Sequence, residues 1–294
     1  RSVMFDDLRK FYGRYVRNLK TRDFYQMAGR AGRRGIDSEG FVYSRINPQK
    51  ITFDETKRII FGEPEKVRSQ LNTSYATLLN LYQKYKEGLF KIYPLSLHFF
   101  QSGKNEQKEA LRLIEAKLKL LKEMGYISGG FLTQKGEFAK TVYGYELILG
   151  ELYDQQIIEQ VDEFGLGIIT CAICFEPRKN QRMPILSKNA RRIRRACEEI
   201  YATIKHREAR YKIYPASKGA YFHLSTAAEA WLRGSSFDKL LRFTDTDEGE
   251  LIRYFRMSVQ ILRELNCGQT CSLVLKQRLK ETIRVINRDI VDAE

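Results

Sequence analysis

The sequence predicts a mainly α-helical protein. It opens on the end of an α/β sheet, passes through a helix–hairpin–helix block and continues as an all-helical second half. Three observations predict this. Apolar residues recur at helical spacing in long segments from residue 64 onward. Strand-like runs rich in β-branched and aromatic residues are confined to the first 46 residues and one hairpin. Pro and Gly mark several segment ends, as Pro64 and Gly88 do around 64–87 and Gly125 does after 108–125.

"SVMF" (2–5) and "GFVYSRI" (40–46) are predicted strands, and Thr21 is placed to cap a helix that runs "DFYQMAG" between them. The order strand, loop, helix, Gly/Arg turn, strand fits the last units of an α/β sheet whose earlier strands lie outside this sequence. Residues 64–87 are predicted helical, with Pro64 near the start, Gly88 past the end and Val67, Leu71, Tyr75, Leu78, Leu79 and Tyr82 on one face. Residues 108–125 form the next helix, with Leu111, Ile114, Leu118 and Leu121 together and Gly125 as its stop. "YISGGFLT" then turns back on Gly129–Gly130, and Thr133 caps a following helix. Helix, short β-wing, helix is the outline of a winged helix; an unrelated α+β linker has the same outline. Beyond 146, helix signals fall near 146–161, 165–175, 187–205, 224–233, 236–242, 247–265 and 272–292, which suggests a bundle.

Charge points to a partner. The formal net charge is +15, and residues 178–212 hold twelve Lys/Arg against three Glu, with "NARRIRRA" at the centre. An excess this large indicates a polyanion more often than a merely solubilising surface. Arg191, Arg192 and Arg195 are the expected phosphate contacts there. The helix 247–265 sets an apolar stripe of Ile252, Phe255, Val259 and Leu262 beside a polar one of Arg253, Arg256, Gln260 and Arg263. Such a helix buries one face and offers the other either to solvent or to phosphates, and Asp247 and Glu248 complement its N-terminus.

No apolar run approaches a membrane span, and no signal segment opens the chain, so a cytoplasmic location is expected. Cys171 and Cys174 form a CxxC, and Cys267 and Cys271 a CxxxC, so four thiolates are in principle available to zinc. The first pair lies in the apolar run "LGIITCAICF", however, and free Cys is among the most buried residue types, so core packing with no metal is expected.

"YQMAGRAGRRGID" (25–37) carries the chemistry. Phosphoryl transfer from a nucleoside triphosphate builds negative charge that a planar guanidinium stabilises. Arg30 and Arg33 are three apart, and Gln26 precedes Arg30 by four, so all three fit one face. Gly29 and Gly32 let backbone approach a ligand closely. A basic turn that merely touches nucleic-acid backbone would also have this composition.

"QMAGRAGRRG", with its lead-in "FDDLRKFYGRYVRNLKTRDFY", resembles motif VI of superfamily 2 DExH-box RNA helicases of the superkiller (Ski-type) branch. "LTQKGEFAKTVYGYELILGELY" (132–153) is similar to the end of that family's winged helix, and 222–265 to its C-terminal bundle, with "INRDIVDAE" like the last helix. The resemblance implies three parts: 1–62 as the end of the second RecA-like domain, 63–145 as linker helix and winged helix, and 146–294 as a ratchet-type helical bundle. It also implies ATP and Mg²⁺ as cofactors, 3′-to-5′ translocation on RNA, and Arg30 and Arg33 as the γ-phosphate pair. Arg33 would be the arginine finger and Gln26 and Gly29 would assist. The helix 247–265 would lie across the strand.

Two departures matter. The sequence contains no GxxxxGK[ST] loop and no DExH box, so alone it is not expected to hydrolyse ATP. Only a short link joins 88 to 108, where exosome-associated members insert a long arch. A DNA helicase of a related branch and a non-enzymatic basic winged-helix module are the rival readings.

Overall fold

The computed structural model describes residues 1–11, 15–33, 35–67, 69 and 73–292. Two compact units divide the chain, Arg1–Ser69 and Gln70–Glu294.

In the first unit, β1 (Ser2–Phe5) pairs in parallel with β4 (Phe41–Ser44), with Ser2 opposite Phe41 and Phe5 opposite Ser44. Between them lie β2 (Arg9–Phe11), β3 (Val16–Asn18) and α1 (Thr21–Ala28); β2 and β3 pair antiparallel. That hairpin interrupts the predicted loop. α2 (Phe53–Phe61), also unforeseen, follows β4 and opens on a capping box between Thr52 and Glu55. Phe5, Leu8, Leu19, Phe24, Ile51 and Ile59 form the core, with the Phe5 and Phe24 rings stacked at 4.7 Å. Met4, Phe41 and Tyr43 remain exposed on the two-stranded sheet.

Thr21 does not cap α1. Its hydroxyl donates to the Arg58 carbonyl at 2.8 Å, near the end of α2. The free amides of α1 are satisfied by Glu65, whose carboxylate accepts from the N–H groups of Thr21 (3.2 Å) and Arg22 (3.0 Å). This also corrects the helix predicted from Pro64: drawn onto α1, residues 63–67 are not helical and Val67 is exposed, while Leu71 lies outside the described residues.

The second unit opens on α3 (Tyr75–Tyr85), capped by Ser74, whose Oγ accepts from Thr77 N–H at 3.1 Å. Buried polar groups converge on this start. Glu146 accepts from Ala76 N–H at 3.0 Å, Lys117 Nζ donates to the Thr73 carbonyl at 2.6 Å, and the Tyr75 hydroxyl donates to Glu208 at 2.7 Å. Each buried group thus has a partner, which offsets its desolvation. α3 ends at Lys86, which has a positive φ, rather than at Gly88.

The link before 108 holds α4 (Leu89–Ile92) and α5 (Leu97–Gln101), and α6 (Lys104–Glu123) starts four residues earlier than the periodicity suggests. The hairpin β5 (Ile127–Ser128) and β6 (Phe131–Leu132) turns on Gly129 and Gly130, both at positive φ as the two-residue turn demands. Thr133 caps α7 (Gln134–Ala139), accepting from Gly136 N–H at 3.2 Å.

The predicted helix 146–161 is two helices, α8 (Glu146–Asp154) and α9 (Ile157–Gln160), broken where Gln156 adopts a left-handed conformation. α10 (Glu163–Cys174) is buried from Gly165 onward and packs against α11 (Lys188–Arg210), α12 (Ser225–Leu232), α14 (Glu248–Cys267) and α15 (Leu273–Ile286), with the short α13 (Phe237–Leu240) following α12. A helix apolar all round belongs at the centre of a bundle. One core runs from Tyr75 to Val291, with Trp231 fully buried and its Nε1–H donating to the Ile286 carbonyl at 2.9 Å. The fold is mainly α.

Candidate functional site

In the first unit, α1 stops at Ala28, and a tight turn follows. The Arg30 N–H donates to the Met27 carbonyl at 3.0 Å and the Ala31 N–H to Ala28 at 2.9 Å. Ala31 is buried, and Gly40 packs so closely on it that a Cβ at Gly40 would lie 2.9 Å from the Ala31 carbonyl carbon. The loop is therefore pinned at Ala31, while Arg30 and Arg33 on either side are exposed, as is Gln26. Gly29 sits where a Cβ would meet the Tyr25 carbonyl at 3.1 Å; Gly32 has no such close neighbour. The helical spacing inferred for the three polar residues ends at Gln26, because Arg30 lies in the turn and Arg33 in the loop beyond it.

Arg33 has an anchor that the motif alone did not indicate. Its backbone N–H and its Nε both donate to one Asp37 oxygen, at 2.8 and 3.2 Å. These bonds hold the Asp37 carboxyl below its usual pKa, the side-chain bond contributing most. The i,i+4 spacing of Arg33 and Asp37 was the available signal.

In the second unit, Arg191, Arg192 and Arg195 are exposed on α11, while Arg194 between them is half-buried and pairs with Glu198 at 2.7 Å. Arg192 joins Lys188 and Arg233 on an open cavity of about 510 Å³ whose acidic members are Asp162 and Glu229.

α14 buries Phe255, Val259 and Leu262, half-buries Ile252, and exposes Arg253, Arg256, Gln260 and Arg263. These four differ in what they do. Arg253 lies over the Tyr254 ring at 4.4 Å, and Gln260 donates to Glu264 at 3.0 Å. Arg256 donates from Nε to the Val291 carbonyl and from Nη2 to that of Ile290, both at 3.0 Å, so it ties down the turn after α15. The Arg263 side chain has no hydrogen-bond or ion-pair partner among the described residues. The Asp247 side chain makes no hydrogen bond to the start of α14; with Glu250 it holds Arg178, at 2.6 and 2.8 Å.

Cys171 and Cys174 are buried in α10, and burial pushes the Cys171 thiol up to about 12. Among the described residues no group of three or more His, Cys, Asp or Glu is placed to hold a metal, and no helix is long and apolar enough to cross a membrane.

Residues 129–294 match the family model of the DSHCT (NUC185) domain, more than half of the chain. The chain belongs to the DSHCT family. Its relatives are DExH-box RNA helicases of the Ski2 and Mtr4 type. It is 40% identical over 81 residues to the DExH-box ATP-dependent RNA helicase DExH11 of Arabidopsis thaliana and, over the same length, to the antiviral helicase SKI2 of Saccharomyces cerevisiae. Each match covers 28% of this chain and 6% of the relative. Against the ATP-dependent RNA helicase mtr4 of Schizosaccharomyces pombe it is 36% identical over 101 residues, 34% of this chain and 9% of that protein. The DSHCT chain thus aligns with less than a tenth of these helicases' length. The match takes in the bundle from α8 to α15 together with the Gly129–Gly130 turn.

Proposed function

We propose that this chain is the C-terminal portion of an ATP-dependent RNA helicase that moves 3′ to 5′. Residues 1–62 would close its second RecA-like domain, 63–145 would form linker and winged helix, and 146–294 the strand-holding bundle. The observation that carries the reading is the pairing of exposed Arg30 and Arg33 on a pinned turn with membership of a family whose relatives are RNA helicases. The exposed apolar residues of β1 and β4 support it, since a two-stranded sheet is too small to stand alone.

The residues present fit one wall of an ATP site. ATP supplies the γ-phosphoryl group; Mg²⁺ would be held by groups outside this chain. Asp37 fixes the backbone and Nε of Arg33, so the guanidinium has a set orientation with its terminal nitrogens left for phosphate oxygens. Arg30, on the other side of Ala31, brings a second positive charge to the same loop. By itself the chain binds RNA and does not turn over ATP. Arg191, Arg195, Arg253 and Arg263 contact phosphates, so binding is sequence-tolerant and salt-sensitive.

The test uses a polypeptide extended upstream through the ATP-binding half. Arg33→Ala lowers ATP turnover on the order of 10³-fold, as loss of an arginine finger does, and leaves RNA affinity unchanged. ATP turnover equal to that of the unaltered protein overturns the role given to Arg33.

A further inference from the structure

Lys86 is a non-glycine residue at φ +51° and ψ −137°, where α3 ends. A side chain enters this region only under steric strain. The conformation sets Lys86 Nζ 4.1 Å from the Phe131 ring centroid and 5.7 Å from that of Tyr82. Lys122 Nζ lies 5.6 Å from the Tyr82 centroid and 2.7 Å from Glu87. These residues, with Ile127 and the Gly129–Gly130 turn, line an open groove of about 720 Å³.

Fold stability does not account for this arrangement. An exposed cation–π contact returns less than the backbone strain removes. Phe131 is 68% exposed even with the ammonium over it, so most of the ring is uncovered. Among the described residues that line the groove, the one acid, Glu87, is paired with Lys122, so Lys86 leaves the rim net positive. The glycine turn adds no side chain that would keep a strand away.

We propose that this groove is a nucleobase site. It rests on the RNA-binding reading above and deepens it: one base of a single-stranded RNA stacks on Phe131, and Lys86 and Lys122 face the phosphates that flank it. An uncovered aromatic face beside ammonium groups is the combination that holds single strands without reading their sequence.

The experiment uses the 294-residue chain and a short uridine-rich oligoribonucleotide carrying one 2-aminopurine. Anisotropy gives the affinity, and 2-aminopurine fluorescence reports stacking. The unaltered chain binds and quenches the probe. Phe131→Ala binds about tenfold more weakly, the loss expected of one stacked base, and no longer quenches; Phe131→Trp restores both. Lys86→Gly also weakens binding, yet unfolds thermally at an equal or higher midpoint because glycine accepts the positive φ. Unchanged affinity and quenching in Phe131→Ala, or unchanged affinity in Lys86→Gly, overturns the base site while leaving RNA binding elsewhere intact; a groove that takes a protein segment gives this result. Failure of the unaltered chain to bind RNA overturns both readings.

Discussion

Gly136, in the first turn of α7, sets how closely that helix meets the β5–β6 hairpin. A Cβ built there would lie 2.2 Å from the Tyr126 carbonyl oxygen, 3.2 Å from its carbon and 3.3 Å from Leu132 Cβ. The nearest of these is backbone and cannot rotate away. It is also engaged, accepting from Thr133 N–H at 3.1 Å. Gly136→Ala must therefore push α7 away from Tyr126 by roughly an ångström, at a cost of about 1–3 kcal/mol for overpacking. The same movement loosens the Thr133 cap, worth about 1 kcal/mol, while better helix propensity returns up to about 1 kcal/mol. The sum is a destabilisation of about 2 kcal/mol, or roughly 4–8 °C for a unit of this size. Gly249→Ala is the matched control: it lies in α14 with nothing within 4 Å of the added Cβ, and it stabilises by up to about 1 kcal/mol. Thermal unfolding followed by circular dichroism measures both. If Gly136→Ala melts at or above the temperature of the unaltered chain, the close approach does not hold α7 on the hairpin and the reasoning is wrong.

Acid should loosen the first unit. Glu65 is held below the ordinary carboxylate range, chiefly by the N–H of Arg22, so its stabilisation is complete above that range and disappears as pH falls through its folded value. Urea midpoints of the first unit measured from about pH 5 to 3 should fall, and should fall less in Glu65→Gln; equal slopes refute the cap. Of the five cysteines, exposed Cys267 should react promptly with a thiol reagent at neutral pH, whereas buried Cys197, pushed up to about 12, and Cys271, pushed up to about 11, should wait for unfolding. Counting fast-reacting thiols by absorbance checks this, and more than one refutes it. Arg256→Ala should lower stability by about 1–3 kcal/mol through two lost hydrogen bonds to carbonyls and leave the salt dependence of RNA binding intact. Arg263→Ala should do the reverse, reducing the slope of log K against log salt by about 0.7.

What the sequence made legible follows from where each determinant sits. The β5–β6 hairpin is written in adjacent residues, Gly125 as a stop, Gly129–Gly130 as a turn and Thr133 as a cap, and the structure has each of them in that role. The β2–β3 hairpin was missed because its strands are three residues each, charged and largely exposed, so no alternation marks them. The start of α3 was misplaced because Glu65, one residue after the proline taken as the helix start, caps a helix more than forty residues earlier in the chain. In the candidate site the sequence displays the arginines but not what each one contacts. That Arg256 reaches the carbonyls of Ile290 and Val291 is a contact between distant segments, which periodicity does not encode.

These contacts have a consequence for the cationic face of α14. Arg178, beyond the end of α10, grips Asp247 and Glu250 at the start of the helix, and Arg256 grips the turn after α15 from its middle. Two arginines that composition alone would assign to a polyanion thus brace the helix against its neighbours. The phosphate contacts proposed for Arg253 and Arg263 would then come from a helix fixed at two points, without the ordering cost a mobile segment would incur. The net charge of +15 therefore overstates the number of cations left for the proposed RNA contacts. A salt slope that counted every exposed arginine of α14 would mean that RNA had displaced the carbonyls of Ile290 and Val291, and with them the anchor of the last turn.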